Sequence, residues 1–186
     1  MSADATKVTV GKPKIAGAIF RAPLGTSLPT DVETALDSAY VSLGYISDAG
    51  LTNSQARTSN EIKAWGGAVI MTTQTDKTDT FKFVAVEALN EEVQKMTFGS
   101  NNVSTDSQTG ITTVRANANE LEAAVYVIEL ALNGAYRRII VPNGKVSATG
   151  DIVYNDGDVV GYDTTITALP YAGYDGDTHR ELTQSA

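Results

Sequence analysis

The sequence predicts a mainly β protein, a two-sheet β-sandwich or rolled barrel with one short flanking α-helix and a long N-terminal arm. Three observations carry this reading. From Tyr40 onward, runs of Val, Ile, Thr, Tyr and Phe are broken by Gly, Asn and Asp, the composition of strands and their turns. One segment, 90–98, carries helix start and stop signals. The first 39 residues lack clear periodicity and are punctuated by Pro and Gly.

In chain order, residues 1–39 read as an extended arm or loop, interrupted by Pro13, Pro23 and Pro29 and by Gly11, Gly17 and Gly25. Within it, Thr30 or Asp31 is placed to cap a short helix through Val32, Ala35 and Leu36. Residues 40–186 form the β-domain. Phe81, Phe83 and Ala85 alternate with Lys82 and Val84, as in a strand with one face covered. Tyr126, Ile128, Leu130 and Leu132 alternate with Val125, Val127, Glu129 and Ala131, and the apolar character of both sets suits a central strand covered on both sides.

Three hairpin turns are expected: at Asp76-Lys77, at Asn143-Gly144 and at Asp156-Gly157. The last two supply the positive φ angles that two-residue turns demand. Gly66-Gly67 beside Trp65 reads as a bulge or sharp bend in a strand. For the helix, Asn90 is a good N-cap, Glu91 and Glu92 lie at the positive end of the dipole, and Gly99 is a natural stop. Leu89, Val93 and Met96 share one face, which must pack on the sheets because so short a helix does not persist alone. The C-terminal residues read as a flexible tail.

At 186 residues the chain supports one core better than two. Its net charge is −8, from 14 Lys plus Arg against 22 Asp plus Glu. The densest basic cluster is Arg137-Arg138, too little for a nucleic-acid grip, which needs repeated Lys and Arg along one path. The chain contains no Cys, which removes disulfide frameworks, thiolate zinc sites and cysteine nucleophiles. No signal-peptide h-region and no apolar run long enough to span a membrane is visible.

Catalytic chemistry finds little material. The only histidine, His179, sits near the C-terminus in polar surroundings and reads as an exposed tail residue. Asp156 and Asp158, Asp163, and Asp175 and Asp177 supply oxygen ligands in type, but none continues into a calcium loop, and turn chemistry explains Asp beside Gly. No Lys-Ser or Lys-Thr follows Gly66-Gly67, so a phosphate cradle is not indicated. Trp65 reads as an anchor in the core or at a subunit interface, and its exposure would reopen sugar binding. No catalytic, cofactor-binding or metal residue is assigned, and no cofactor.

Four segments in order, Gly17–Asp31 (GAIFRAPLGTSLPTD), Ser42–Thr52 (SLGYISDAGLT), Glu61–Gly67 (EIKAWGG) and Val141–Asp158 (VPNGKVSATGDIVYNDGD), resemble the major tail, or tail tube, proteins of long-tailed siphovirus-type bacteriophages, especially those of actinobacteria. The resemblance implies a tail tube fold and a structural, non-enzymatic subunit. It implies self-assembly into hexameric rings that stack as a virion conduit for DNA, put together in the host cytoplasm. A tape-measure protein and a tail tip complex are the implied partners, DNA passes without specific binding, and no membrane is involved. The competing reading is a β-sandwich adhesin or carbohydrate-binding module.

Overall fold

The structure, a computed structural model, describes residues 3–15 and 17–185. Met1, Ser2, Ala16 and Ala186, which belong to the expected arm and tail, lie outside the described residues. Among the described residues, eleven strands and one α-helix follow in the order β1 (Lys12–Pro13), β2 (Ile19–Pro23), β3 (Val41–Ser42), β4 (Ile46–Lys63), β5 (Val69–Ala85), α1 (Glu91–Phe98), β6 (Val103–Thr105), β7 (Thr112–Val114), β8 (Ala124–Leu132), β9 (Ala135–Thr149), β10 (Tyr162–Ala168) and β11 (Arg180–Ser185). The main sheet is antiparallel in the order β3-β2-β8-β9-β10-β5-β4, with β1 also on β8 and β11 also on β9. β6 and β7 form a separate two-stranded sheet.

Strand β8 organises the interior as its two-faced pattern predicts. Tyr126 and Ile128 join Phe81, Phe83, Ile166 and the helix residues Val93 and Met96 in one apolar cluster. Val125 and Val127 face the other way, with Ile140, beneath Leu28, Leu36 and Tyr40 of the 24–40 loop and Leu182 of β11. The helix forms where its signals place it: Asn90 accepts a hydrogen bond from the Glu92 amide, and the Gly99 amide closes the last turn onto Lys95. Leu89 departs from the expectation. It precedes the cap and is 95% exposed, leaving Val93 and Met96 as the docking face.

The turn assignments need correction. The β8–β9 hairpin turns at Asn133-Gly134, where Leu132 pairs with Ala135 and Gly134 has φ +76°. Asn143-Gly144 is no turn: β9 runs through it and changes partners there, from β8 and β11 in its first half to β10 in its second. Gly is required by contact, because a Cβ at 144 would lie 2.7 Å from the Tyr126 ring and 2.9 Å from Ile166. Asp76-Lys77 lies inside β5, opposite Thr58 and Arg57, and the real tip of this hairpin is the segment holding Gly66-Gly67. Asp156-Gly157 does lie between two antiparallel strands. The connection is longer, spanning 150–161, and Asn155 Oδ1 accepts from the amides of Gly157 (2.9 Å) and Asp158 (2.7 Å).

The chain ends are also more integrated than their composition suggests. β2 lies inside the segment expected as an arm, yet it pairs with β8 and buries Ile19 and Ala22. β11 falls in the expected flexible tail and pairs with β9 from Arg180 on Ile140 to Ser185 on Ala135. No helix forms at 30–36. Asp31 Oδ1 does cap the amides of Glu33 and Thr34, but Arg138 takes the carbonyls of Asp31 (2.6 Å) and Thr34 (3.0 Å), one of which a helix would bond internally. Among the described residues no helix is long and apolar enough to cross a membrane.

Candidate assembly surfaces

The β4–β5 hairpin divides into two environments along one continuous ladder. At its root, Phe81, Phe83 and Ala85 are buried. Beyond Leu51 on β4 and before Asp79 on β5, every strand residue is exposed on both faces. The Thr-rich strands hold their conformation through the ladder and through cross-strand bonds such as Arg57 to Gln74 (2.9 Å). A two-stranded ribbon alone is marginal in water, so this outer half calls for a partner. Its tip displays Ile62, Trp65, Val69, Ile70 and Met71, all exposed. Trp65 is therefore outside the core, and its exposure leaves the interface anchor and the sugar platform as the two roles open to it.

A polar cluster marks the boundary between the halves. Asp79, 1% exposed, accepts hydrogen bonds from Thr178 Oγ1 (2.6 Å) and Asn53 Nδ2 (2.8 Å) and pairs with His179 Nδ1. Burial pushes this carboxyl up, but the bonds from Thr178, Asn53 and His179 outweigh it and hold it below its ordinary value. The His179 ring meets Phe81 edge-on at 5.2 Å. The expectation of an exposed His179 thus fails: its partner lies a hundred residues upstream, a distance no local sequence signal spans. The result is a clasp tying the segment before β11 to the hairpin root.

Two further buried charges fix the layers. Arg138, 2% exposed, pairs with Glu129 and staples the 24–40 loop over β8 and β9. Arg21 of β2 bridges Glu92 on α1 and Glu122, at 2.9 Å for the latter. Paired and hydrogen-bonded in this way, such charges are tolerated in an interior that would reject them singly.

Two other surfaces stand out. The face of β10 and β5 away from the core presents Asp163, Thr165 and Thr167 beside Val84, Lys82 and Thr80, and continues into Ser54 and Thr52 of β4. Lys82 and Asp163 neutralise each other at 3.0 Å, leaving short hydroxyl side chains as the dominant chemistry. At the far end of β5, Val86, Ala88, Leu89, Val159 and Val160, with Glu87 and Asn90 between them, line an open and mainly apolar recess of about 650 Å³.

The sequence matches the profile of the phage tail tube protein family over residues 1–179. The chain belongs to that family. No curated protein matches it. Among solved structures it is similar to the anti-feeding prophage cap, described as a tube terminating cap, with a TM-score of 0.45 and 10% identity over 100% of both chains. It is also similar to a chain of the PVC sheath-tube complex, an extracellular contractile injection system in its extended state, with a TM-score of 0.44 and 10% identity over 100% of both chains.

Four of the other carboxylates weighed for chemistry, Asp158, Asp163, Asp175 and Asp177, have structural partners in this tail tube protein. Asp163 is held by Lys82, Asp158 accepts from the Val159 amide, and Asp177 accepts from Arg180 Nε at 2.9 Å. Among the described residues no group of three or more His, Asp or Glu is placed to hold a metal ion.

Proposed function

We propose that this tail tube protein is the repeating, non-catalytic subunit of a virion tail tube, assembling in the host cytoplasm into hexameric rings that stack as a conduit for DNA. The outer half of the β4–β5 hairpin is the observation that carries this reading. It is a long, two-sided, solvent-exposed ribbon with an apolar tip, and β4 leaves its outer edge unpaired within the sheet. Such an edge is an aggregation hazard in a monomer and becomes specific pairing when a ring closes around it.

The hydroxyl face of β10, β5 and β4 suits the lumen. It offers neither a run of Lys and Arg to grip phosphate nor a dense row of carboxylates to repel it. DNA passes such a wall without specific binding. A tape-measure protein and a tail tip complex would set the tube's length and start.

The exposed Trp65 favours one alternative, a carbohydrate-binding module using the indole as a platform. Against it, the indole sits on a projecting tip, whereas ligand sites are concave and bring several polar groups together. Electron microscopy of the purified protein separates the two. Stacked rings support the tube subunit, whereas uniform small particles that bind glycans and never polymerise overturn it.

A further inference from the structure

The hairpin tip and the apolar recess lie at opposite ends of one strand. Strand β5 starts at the tip with Val69 and ends at Ala85, immediately before Val86, Ala88 and Leu89 of the recess. Seventeen residues at about 3.3 Å each separate them by roughly 50 Å, so a hairpin cannot fold back onto its own recess. Both patches are apolar and exposed: Ile62, Trp65, Ile70 and Met71 at one end, Leu89 and Val159 at the other. Paired apolar patches of this kind on one chain mark a contact surface.

We infer that the hairpin tip of one subunit docks into the Leu89–Val159–Val160 recess of the next subunit along the tube axis. This rests on the tube-subunit reading and names the acceptor for the hairpin. The occupant is a second copy of this chain, for three reasons. The two patches differ from each other, so their union is heterologous and repeats without closing, which is what a stack requires. The donor and acceptor flank the two ends of β5, so subunits repeating head to tail bring the tip of one towards the recess of the next. The charges do not oppose the contact: beside the tip Glu61 and Lys63 pair with each other at 3.6 Å, and the ribbon as a whole carries a small positive excess. The hairpin segment 52–78 carries Arg57, Lys63 and Lys77 against Glu61 and Asp76, three positive to two negative, in a chain of net charge −8. The 150–161 connection that supplies Val159 and Val160 carries Asp151, Asp156 and Asp158 with no Lys or Arg, and Glu87 stands beside Leu89.

The recess is open and holds room for an indole with its flanking side chains. Leu89 would be the central acceptor contact, because its side chain is almost fully presented to solvent and takes no part in the helix docking face. Its exposure, unexpected for a Leu beside a buried helix face, then has a reason.

The absence of Cys makes the test clean. In assembled protein, the double variant Ile70→Cys/Val159→Cys should give a ladder of disulfide-linked multimers on mild oxidation, whereas Val159→Cys alone stays monomeric on a non-reducing gel. Independently, Leu89→Asp should leave the melting temperature of the unassembled subunit unchanged and abolish tubes. Tubes seen by microscopy that give no ladder, or Leu89→Asp subunits that still form long tubes, overturn the acceptor assignment while the tube reading stands. Unmodified protein that forms no tubes overturns that reading and the inference with it.

Discussion

The inner and outer halves of the β4–β5 hairpin share one hydrogen-bond ladder, but only the inner half has a fold to belong to. Inside, Phe81 and Phe83 alternate with Lys82 and pack on β8, β10 and α1. Outside, alternation has no meaning, because both faces meet water, and the strand is written in Thr, Ser, Gln and Asn until the apolar tip. Asp79, with Asn53, Thr178 and His179, stands at the junction. The difference teaches that strand length and strand burial are separate properties: the ladder extends a conformation, whereas the core supplies stability.

If that division is right, substitutions along one strand should differ sharply in effect. Phe81→Ala, in the inner half, removes a fully buried ring and should cost about 4 kcal/mol, read as a large drop in melting temperature of the unassembled protein. A loss under about 1 kcal/mol would place the core elsewhere.

At the junction, Asp79→Asn should cost about 2 kcal/mol at neutral pH, because it weakens charge-assisted bonds to Thr178, Asn53 and His179. Its pH dependence has a defined sign. The folded-state pKa of Asp79 lies below the ordinary carboxylate value, so its contribution is fully present above about pH 4 and is lost as pH falls through the lower folded value. Stability measured across this acid range should fall less steeply in Asp79→Asn than in the parent. Equal slopes would mean that the Asp79 carboxylate does not stabilise the fold through these bonds.

The smallest effect belongs to the tip. Trp65→Ala should change the subunit's melting free energy by no more than about 0.5 kcal/mol, since the indole touches no core, while reducing polymerisation measured by light scattering. A destabilised subunit would mean that the tip packs on its own body.

Much of the inner fold was legible in the sequence. Helix α1 was announced by Asn90, the Glu91-Glu92 pair and Gly99, all local signals with local physics. The two-faced burial of β8 was readable because both residue sets are apolar. What escaped depends on distance or on competing uses of one motif. Asn143-Gly144 has the composition of a turn, yet the glycine serves the Tyr126 and Ile166 contacts, while the turn sits at Asn133-Gly134. The outer hairpin lacked a burial period, so its length was invisible and Asp76-Lys77 passed for its end. The buried pairs of Asp79 with His179 and of Arg21 with Glu92 and Glu122 join residues far apart in sequence. Composition at the termini favoured an arm and a tail, but β2 and β11 are recruited by edges of β8 and β9 that only the folded sheet provides.

If the inner hairpin folds the subunit and the outer hairpin assembles it, shortening the ribbon separates the two roles. Ala56 and Thr78 face each other in the ladder, so residues 57–77 can be replaced by an Asn-Gly turn that closes the hairpin just outside Asp79. The variant should show near-ultraviolet circular dichroism and a melting temperature close to the parent's, yet give no tubes in electron micrographs where the parent forms them. Tubes that persist without the ribbon, or a shortened chain that fails to fold, would contradict the division of labour along β4 and β5.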